Sequence, residues 1–350
     1  MTRRDFGVLV FSAASPAARA ARAAARPAFP GTKWDSRPAA ELGLEAASLD
    51  ELATALGGRG SVVRHGLIAK EWGSQSERSD ILSSAKPILS TLLFWAVREK
   101  RVASVDTPVA RFGWDLEPKD RGITFRHLGA MSSGYARPEG PGKAWAYNDY
   151  AIQLYQKTLF DKVFREDPEA VANSPKRLGA LGLEDRLAFR TTNRRISASV
   201  RDFARIGWFW LSKGNWGGKQ LLPRKMFDLY QKPQAPPGLP QTAKAETRDY
   251  LKIGTYGGGS DHFTEFGAGI YGFNWWFNRA GRLHPDRPNW PDAPADTFMS
   301  IGAGGNCSVM IASLGLVLVS LKGNWGKLQA GDPESMANRH IRLLARAARA

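Results

Sequence analysis

Three short stretches of this 350-residue chain carry side chains that could do covalent chemistry together. They are Ser83-Ser84-Ala85-Lys86, Tyr147-Asn148-Asp149 and Gly302-Ala303-Gly304-Gly305. Ser83 and Lys86 are three residues apart, so on a helix both side chains lie on one face, about one turn apart. A serine hydroxyl is a poor nucleophile until something removes its proton. A desolvated lysine beside it can act as that base. Ser-x-x-Lys alone is a common pattern; its weight here comes from the order and spacing of all three stretches.

The elements that must hold these residues can be read from periodicity. Val62 to Trp72 opens with β-branched residues and reads as a strand. From Ser84 to Arg101 the apolar positions Ile88, Leu89, Leu92, Leu93, Ala96 and Val97 recur at helical steps. Pro87 is tolerated only in a first turn, which starts that helix at about Ser83 or Ser84. Thr124 to Met131 reads as a short helix. Ser199 to Lys213 reads as a longer one, with Ser199 and Asp202 forming a capping box and Gly214 ending it. Lys232 to His262 and Arg279 to Asp296 are rich in Pro and Gly and read as long loops. Strands follow at Ile270–Asn278, Cys307–Ala312 and Leu316–Leu321, with a turn at Ser313-Leu314-Gly315. Residues 333–348 read as a closing helix whose Arg342, Arg346 and Arg349 suit its negative end. The order predicts a sheet lobe beside a helical lobe, with a cleft between them.

Composition bounds the rest. Hydrophobic content of 43% and twelve tryptophans describe a chain with a large core. No apolar run reaches membrane-spanning length. The formal charge is +16, of which residues 1–25 contribute +3 through Arg3, Arg4, Arg19 and Arg22 against Asp5. Such a surface can attract an anionic cell envelope, but no nucleic-acid motif accompanies it, and none is expected as a partner. Thr2-Arg3-Arg4-Asp5-Phe6 matches a twin-arginine signal, followed by a short apolar stretch and small-residue sites. Residues 1–30 are therefore expected to be a signal or tail, and the protein to be exported to the periplasm or beyond; with the signal inactive it would stay cytoplasmic. His65, His127, His262, His284 and His340 show no metal-ligand spacing, and the lone Cys307 forms no cluster. No Gly-x-Ser-x-Gly elbow supports a Ser-His-Asp triad, and Gly257-Gly258-Gly259 lacks the Lys-Ser/Thr of a phosphate loop. No cofactor is expected.

Four stretches resemble the serine β-lactamase and penicillin-recognising superfamily, in its class C-like branch of esterases and 6-aminohexanoate-oligomer hydrolases. They are Ser79-Asp-Ile-Leu-Ser83-Ser-Ala-Lys86, Ile123 to Gly134, Pro141-Gly-Lys-Ala-Trp-Ala-Tyr147-Asn-Asp149 and Val200 to Gly207. The resemblance implies an α/β (α+β) β-lactamase-like fold over residues 31–350. In it an antiparallel sheet is flanked by terminal helices, and a large helical lobe, about 80–235, is inserted between sheet segments. It makes Ser83 the acylated nucleophile, Lys86 its base partner and Tyr147 the proton relay, with Lys86⁺ lowering the tyrosine pKa. Asp149 stands where the family has asparagine. A carboxylate only accepts hydrogen bonds, so Asp149 either favours a substrate with a donor or positive group, or holds Lys86 charged, or is a solvated turn residue. Ser300-Ile301-Gly302-Ala303 takes the place of the family's Lys-Thr-Gly or His-x-Gly strand, without its cation. The amides of Ser83 and Ala303 would form the oxyanion hole, and Gly302 would let the strand edge approach substrate. Trp145, Trp275 and Trp276 either line an acyl pocket or belong to the core.

The expectation is a serine hydrolase of small carboxylic esters or linear amides, the missing cation arguing against penicillins and D-Ala-D-Ala termini. The alternatives are a D,D-peptidase or weak β-lactamase, and a catalytically weak protein that binds cell-wall material.

Overall fold

The computed structural model of the protein describes residues 27–243, 248–258, 267–326 and 331–348. The twin-arginine stretch, His262 and Arg349 lie outside them.

A seven-stranded antiparallel sheet forms the floor of the molecule. Its strands are β1 (Arg59–Arg64), β2 (Leu67–Trp72), β8 (Tyr271–Gly272), β9 (Trp275–Phe277), β10 (Thr297–Gly302), β11 (Asn306–Ile311) and β12 (Leu316–Leu321), in the order β2-β1-β12-β11-β10-β9-β8. Every residue of β10, β11 and β12 is buried, which requires cover on both faces. Helix α6 (Val200–Leu211) crosses β12, β11 and β1. It can lie that close because Gly207 has no side chain: a Cβ there would sit 2.9 Å from Val317 and 3.0 Å from Ser308 Oγ. The terminal helices α1 (Ala46–Leu56) and α8 (Met336–Ala347) pack on each other and add Leu49, Leu52, Leu56, Ile341 and Leu344 to the same core.

Between β2 and β8 run the remaining helices: α2 (Lys86–Arg98), α3 (Phe125–Gly129), α4 (Asp149–Lys157), α5 (Pro168–Ala172), α6 and α7 (Arg224–Tyr230). This segment also holds elements not anticipated from the sequence. They are a small sheet of β3 (Ser79–Asp80), β5 (Ile196–Ala198) and β4 (Ala188–Phe189), and a hairpin of β6 (Asn215–Trp216) and β7 (Lys219–Gln220).

Three expectations change in detail. The strand read over Val62–Trp72 is a hairpin, because His65 and Gly66 both take positive φ (53° and 85°) and turn β1 into β2. The strand read over Ile270–Asn278 is likewise two short strands, turned at Phe273 and Asn274 (φ 43° and 71°). The capping box at Ser199 is half formed. Ser199 accepts from the Asp202 amide, but the Asp202 carboxylate turns away to accept from the amides of Glu184 and Asp185. The last strands match the sequence pattern closely, and Gly315 supplies the positive φ (59°) of their turn.

Candidate active site

The chain enters the site from β3, which pairs with β5 and continues that pairing through Ile81 N–H to Ile196 O. Leu82 then takes a positive φ of 53°, an uncommon conformation for a γ-branched residue and one that costs free energy. It is held there at both ends: Asp80 Oδ1 accepts from its amide at 2.9 Å, and Tyr256 OH donates to its carbonyl at 3.2 Å. A 3₁₀ turn, Leu82–Ala85, follows and carries Ser83, and α2 begins only at Lys86, with Pro87 in its first turn. The nucleophile candidate thus sits in the turn before the helix rather than in the helix itself.

Lys86 is the hub. Its Nζ lies 2.8 Å from Ser83 Oγ, 2.6 Å from Tyr147 OH and 2.6 Å from Asp149 Oδ1. An ammonium has three protons, and three oxygens surround it. Lys86, Tyr147 and Asp149 are all buried, whereas Ser83 is half-buried and opens onto a cavity of about 440 Å³. The backbone of Lys86 is fixed too, since Asn274, at the tip of the β8–β9 turn, donates to its carbonyl and to Ser90.

Electrostatics set the resting protonation state. Burial alone would push the Lys86 ammonium down, but Asp149 and Tyr147 more than offset it, and its pKa lies above the ordinary lysine value. Burial raises the Tyr147 hydroxyl, and Lys86 opposes this only in part. The resting site therefore holds a lysinium–aspartate pair and a neutral tyrosine. Lys86 lowers the Tyr147 pKa as the resemblance implies, but burial outweighs it and the net shift is upward. Of the three roles open to Asp149, the structure gives it the one beside Lys86; with 2% exposure it is not a solvated turn residue. Asn148, which carries no chemical signal in the sequence, caps α4 by accepting from Tyr150 and Ala151, and so aims Tyr147 and Asp149 from the helix start.

The end of β10 closes the other side. Gly302 is buried, and a Cβ on it would sit 2.6 Å from Ile81 O and 2.7 Å from Ser84 N. Its lack of a side chain serves strand-to-turn packing; expected to face substrate, it instead presses on the turn that carries Ser83. Ala303, one residue on, is exposed and lines the cavity. Among the described residues neither the Ser83 nor the Ala303 amide donates to a backbone carbonyl.

The tryptophans divide differently from the expectation. Trp275 is fully buried against Phe94 and Trp210 in the core and does not reach the cavity. Trp145 is buried edge-on to Tyr271 and Trp276, behind the site. Trp276 stacks on the Tyr147 ring, with centroids 5.7 Å apart, and so supports the tyrosine rather than a substrate. In place of tryptophans the cavity is lined by Leu82, Ser83, Asp149, Arg195, Tyr256 and Ala303, with Gly257 and Gly258. The long loop read from its prolines and glycines supplies three of these: Gly258 N–H donates to Asp149 Oδ2 at 3.0 Å, and a Cβ on Gly257 would lie 2.4 Å from that oxygen. The Gly257-Gly258 pair stands out in the sequence, but only as a phosphate loop that lacks its lysine. Among the described residues no group of three His, Cys, Asp or Glu could hold a metal.

No family model and no curated protein matches the chain. Solved structures do. A protein from Bacillus anthracis assigned provisionally as a 6-aminohexanoate-dimer hydrolase superposes over 86% of this chain and 81% of its own, with 16% identity and a TM-score of 0.60. A penicillin-binding-protein homologue from Caulobacter crescentus matches over 86% and 97%, at 13% identity and a TM-score of 0.58. A family VIII carboxylesterase matches over 90% and 99%, at 13% identity and a TM-score of 0.58. At such identities the likeness is one of fold. The chain has the β-lactamase-like fold shared by serine β-lactamases, penicillin-binding-protein homologues and carboxylesterases of this type.

Proposed function

We propose that the protein is a serine hydrolase that forms an acyl-enzyme on Ser83 and releases it to water, acting on a carboxylic ester or linear amide. One observation carries this reading: Lys86 Nζ reaches both Ser83 Oγ and Tyr147 OH, and of these three residues Ser83 alone lines the cavity. Ser83 Oγ attacks the carbonyl carbon and gives its proton to Lys86 as Lys86 passes one of its own to Asp149. The amides of Ser83 and Ala303 hold the oxyanion. Collapse breaks the bond to the leaving oxygen or nitrogen, which takes the Tyr147 proton; Lys86 and Asp149 then reprotonate Tyr147 in turn. Water repeats the sequence on the acyl-enzyme and returns Ser83 to its starting state. Asp149 is engaged by Lys86 and Gly258, so it is not placed to read a substrate amide as the family's asparagine would. This supports simple esters and linear amides over β-lactams. Neighbours of the same fold include esterases and β-lactamases alike and so support hydrolase chemistry, while the choice of substrate rests on Asp149.

The test is turnover of a short-chain nitrophenyl ester by Ser83→Ala beside the unaltered protein. Hydrolysis should fall to background with the melting temperature nearly unchanged. Activity persisting in the folded variant would remove Ser83 from the mechanism.

A further inference from the structure

The strand that carries a cation in the resembled family has none here, yet the cavity wall holds one from another element. Arg195 lies at the foot of the β4–β5 hairpin and lines the cavity with Ser83, Asp149 and Ala303. Its Nε forms an ion pair with Asp80 Oδ2 at 2.8 Å, and its side chain is 23% exposed. Among the described residues its two terminal amino groups have no protein partner. The hairpin that presents it is fixed: Arg190 N–H donates to Arg195 O, Gln156 donates to Asn193 O, and Asn193 donates to Tyr256 O. Asp80 is also shared, because Arg190 Nη1 stands 3.8 Å from the same carboxylate oxygen. Two guanidiniums face one carboxylate, while Lys86 and Asp149 cancel each other. The wall is therefore left with one positive charge and with unused donors in a fork that suits a carboxylate.

We infer that Arg195 forms a subsite for an anionic group, so that the preferred substrate is an ester or amide carrying a carboxylate beyond the scissile bond. This rests on the hydrolase reading for turnover, but not for binding. The fork binds a carboxylate in two parallel hydrogen bonds, which holds the substrate in one register against Ser83. The contact is charge-assisted and only partly exposed, so losing it lowers the specificity constant for anionic substrates by about ten- to a hundredfold.

The experiment compares nitrophenyl hemiglutarate with nitrophenyl butyrate on the unaltered protein, Arg195→Gln and Arg195→Lys. In parallel, glutarate binding is measured by calorimetry on Ser83→Ala with and without the Arg195 substitutions. The expected result is a hemiglutarate preference that disappears in Arg195→Gln, with butyrate turnover within about threefold of the starting value. Arg195→Lys keeps the charge beside Asp80 and should retain part of the preference, which guards against a glutamine variant that fails to fold. Equal loss on both esters would mean that Arg195 only positions Asp80 and Leu82, and a preference unaffected by either substitution would place the anion elsewhere; both overturn the subsite. Glutarate binding that vanishes in Arg195→Gln, with no ester turned over by any form, upholds the subsite and removes the hydrolase reading. Ester turnover without glutarate binding does the reverse.

Discussion

Replacing Asp149 with asparagine preserves shape and keeps an oxygen for the Gly258 amide, so the change isolates one charge. Asp149 and Lys86 are 2% and 0% exposed and their charged atoms stand 2.6 Å apart. Removing one partner of a buried pair leaves the other uncompensated, at a cost of about 3–5 kcal/mol. With an unfolding entropy of about 2 cal/mol/K per residue, this corresponds to a fall of roughly 4–7 °C in melting temperature for a chain of this length. The pH dependence follows from the direction of the Lys86 shift. In the unaltered protein the Lys86 pKa is raised by Asp149 and Tyr147 above its unfolded value. Its contribution is therefore full below the ordinary lysine pKa and lost only as pH rises through the higher folded value. In Asp149→Asn the main raising charge is gone and burial dominates, so the folded pKa falls below the unfolded one and stability increases with pH toward the alkaline range. Thermal melts of both forms from pH 6 to pH 10 should show a gap that is widest at neutral pH and narrows as pH rises. A gap of constant size, or none at neutral pH, would refute the buried ion pair as the organising charge of the site.

Other substitutions read separate parts of the same machinery. Tyr147→Phe removes the proton donor and should slow hydrolysis by about 10²–10⁴, more for amides and alkyl esters than for nitrophenyl esters, whose leaving groups need no proton; equal losses on all substrates would argue against the donor role. Lys86→Ala should slow turnover by about 10²–10⁴ and flatten the pH dependence of the residual kcat/KM, and an unaltered profile would exclude Lys86 from proton transfer. Gly257→Ala would press a methyl group onto Asp149 Oδ2, which it would approach to 2.4 Å. It should lower kcat with little change in melting temperature, and unchanged kcat would show that this loop does not hold Asp149 in place.

Much of the site is legible in the amino-acid sequence. The Ser83–Lys86 pair is legible from its three-residue spacing, whereas the meeting of Tyr147, Asp149 and the end of β10 with that pair is what the family resemblance implies and not what local periodicity shows. Leu316–Leu321 agrees to the residue because a run of six buried positions, five of them apolar, follows a glycine turn. What the sequence hides depends on contacts far apart along the chain. Arg195 and Asp80 meet only through β3–β5 pairing, and Tyr256 reaches Leu82 across 174 positions from a loop with no periodic pattern. The two hairpins that read as single strands turn at His65-Gly66 and Phe273-Asn274, where Gly66 and Asn274 favour a positive φ but sit inside runs whose flanking residues all read as strand. The Lys86 charge state is equally hidden, since burial and the carboxylate act in opposite directions and only their geometry decides between them.

The central claim, that Ser83 is an activated nucleophile, is tested most directly by intact-protein mass after treatment with a fluorophosphonate, with Ser83→Ala alongside. The account predicts one adduct on the unaltered protein and none on the variant. No adduct on folded unaltered protein, or an equal adduct on the variant, would contradict it.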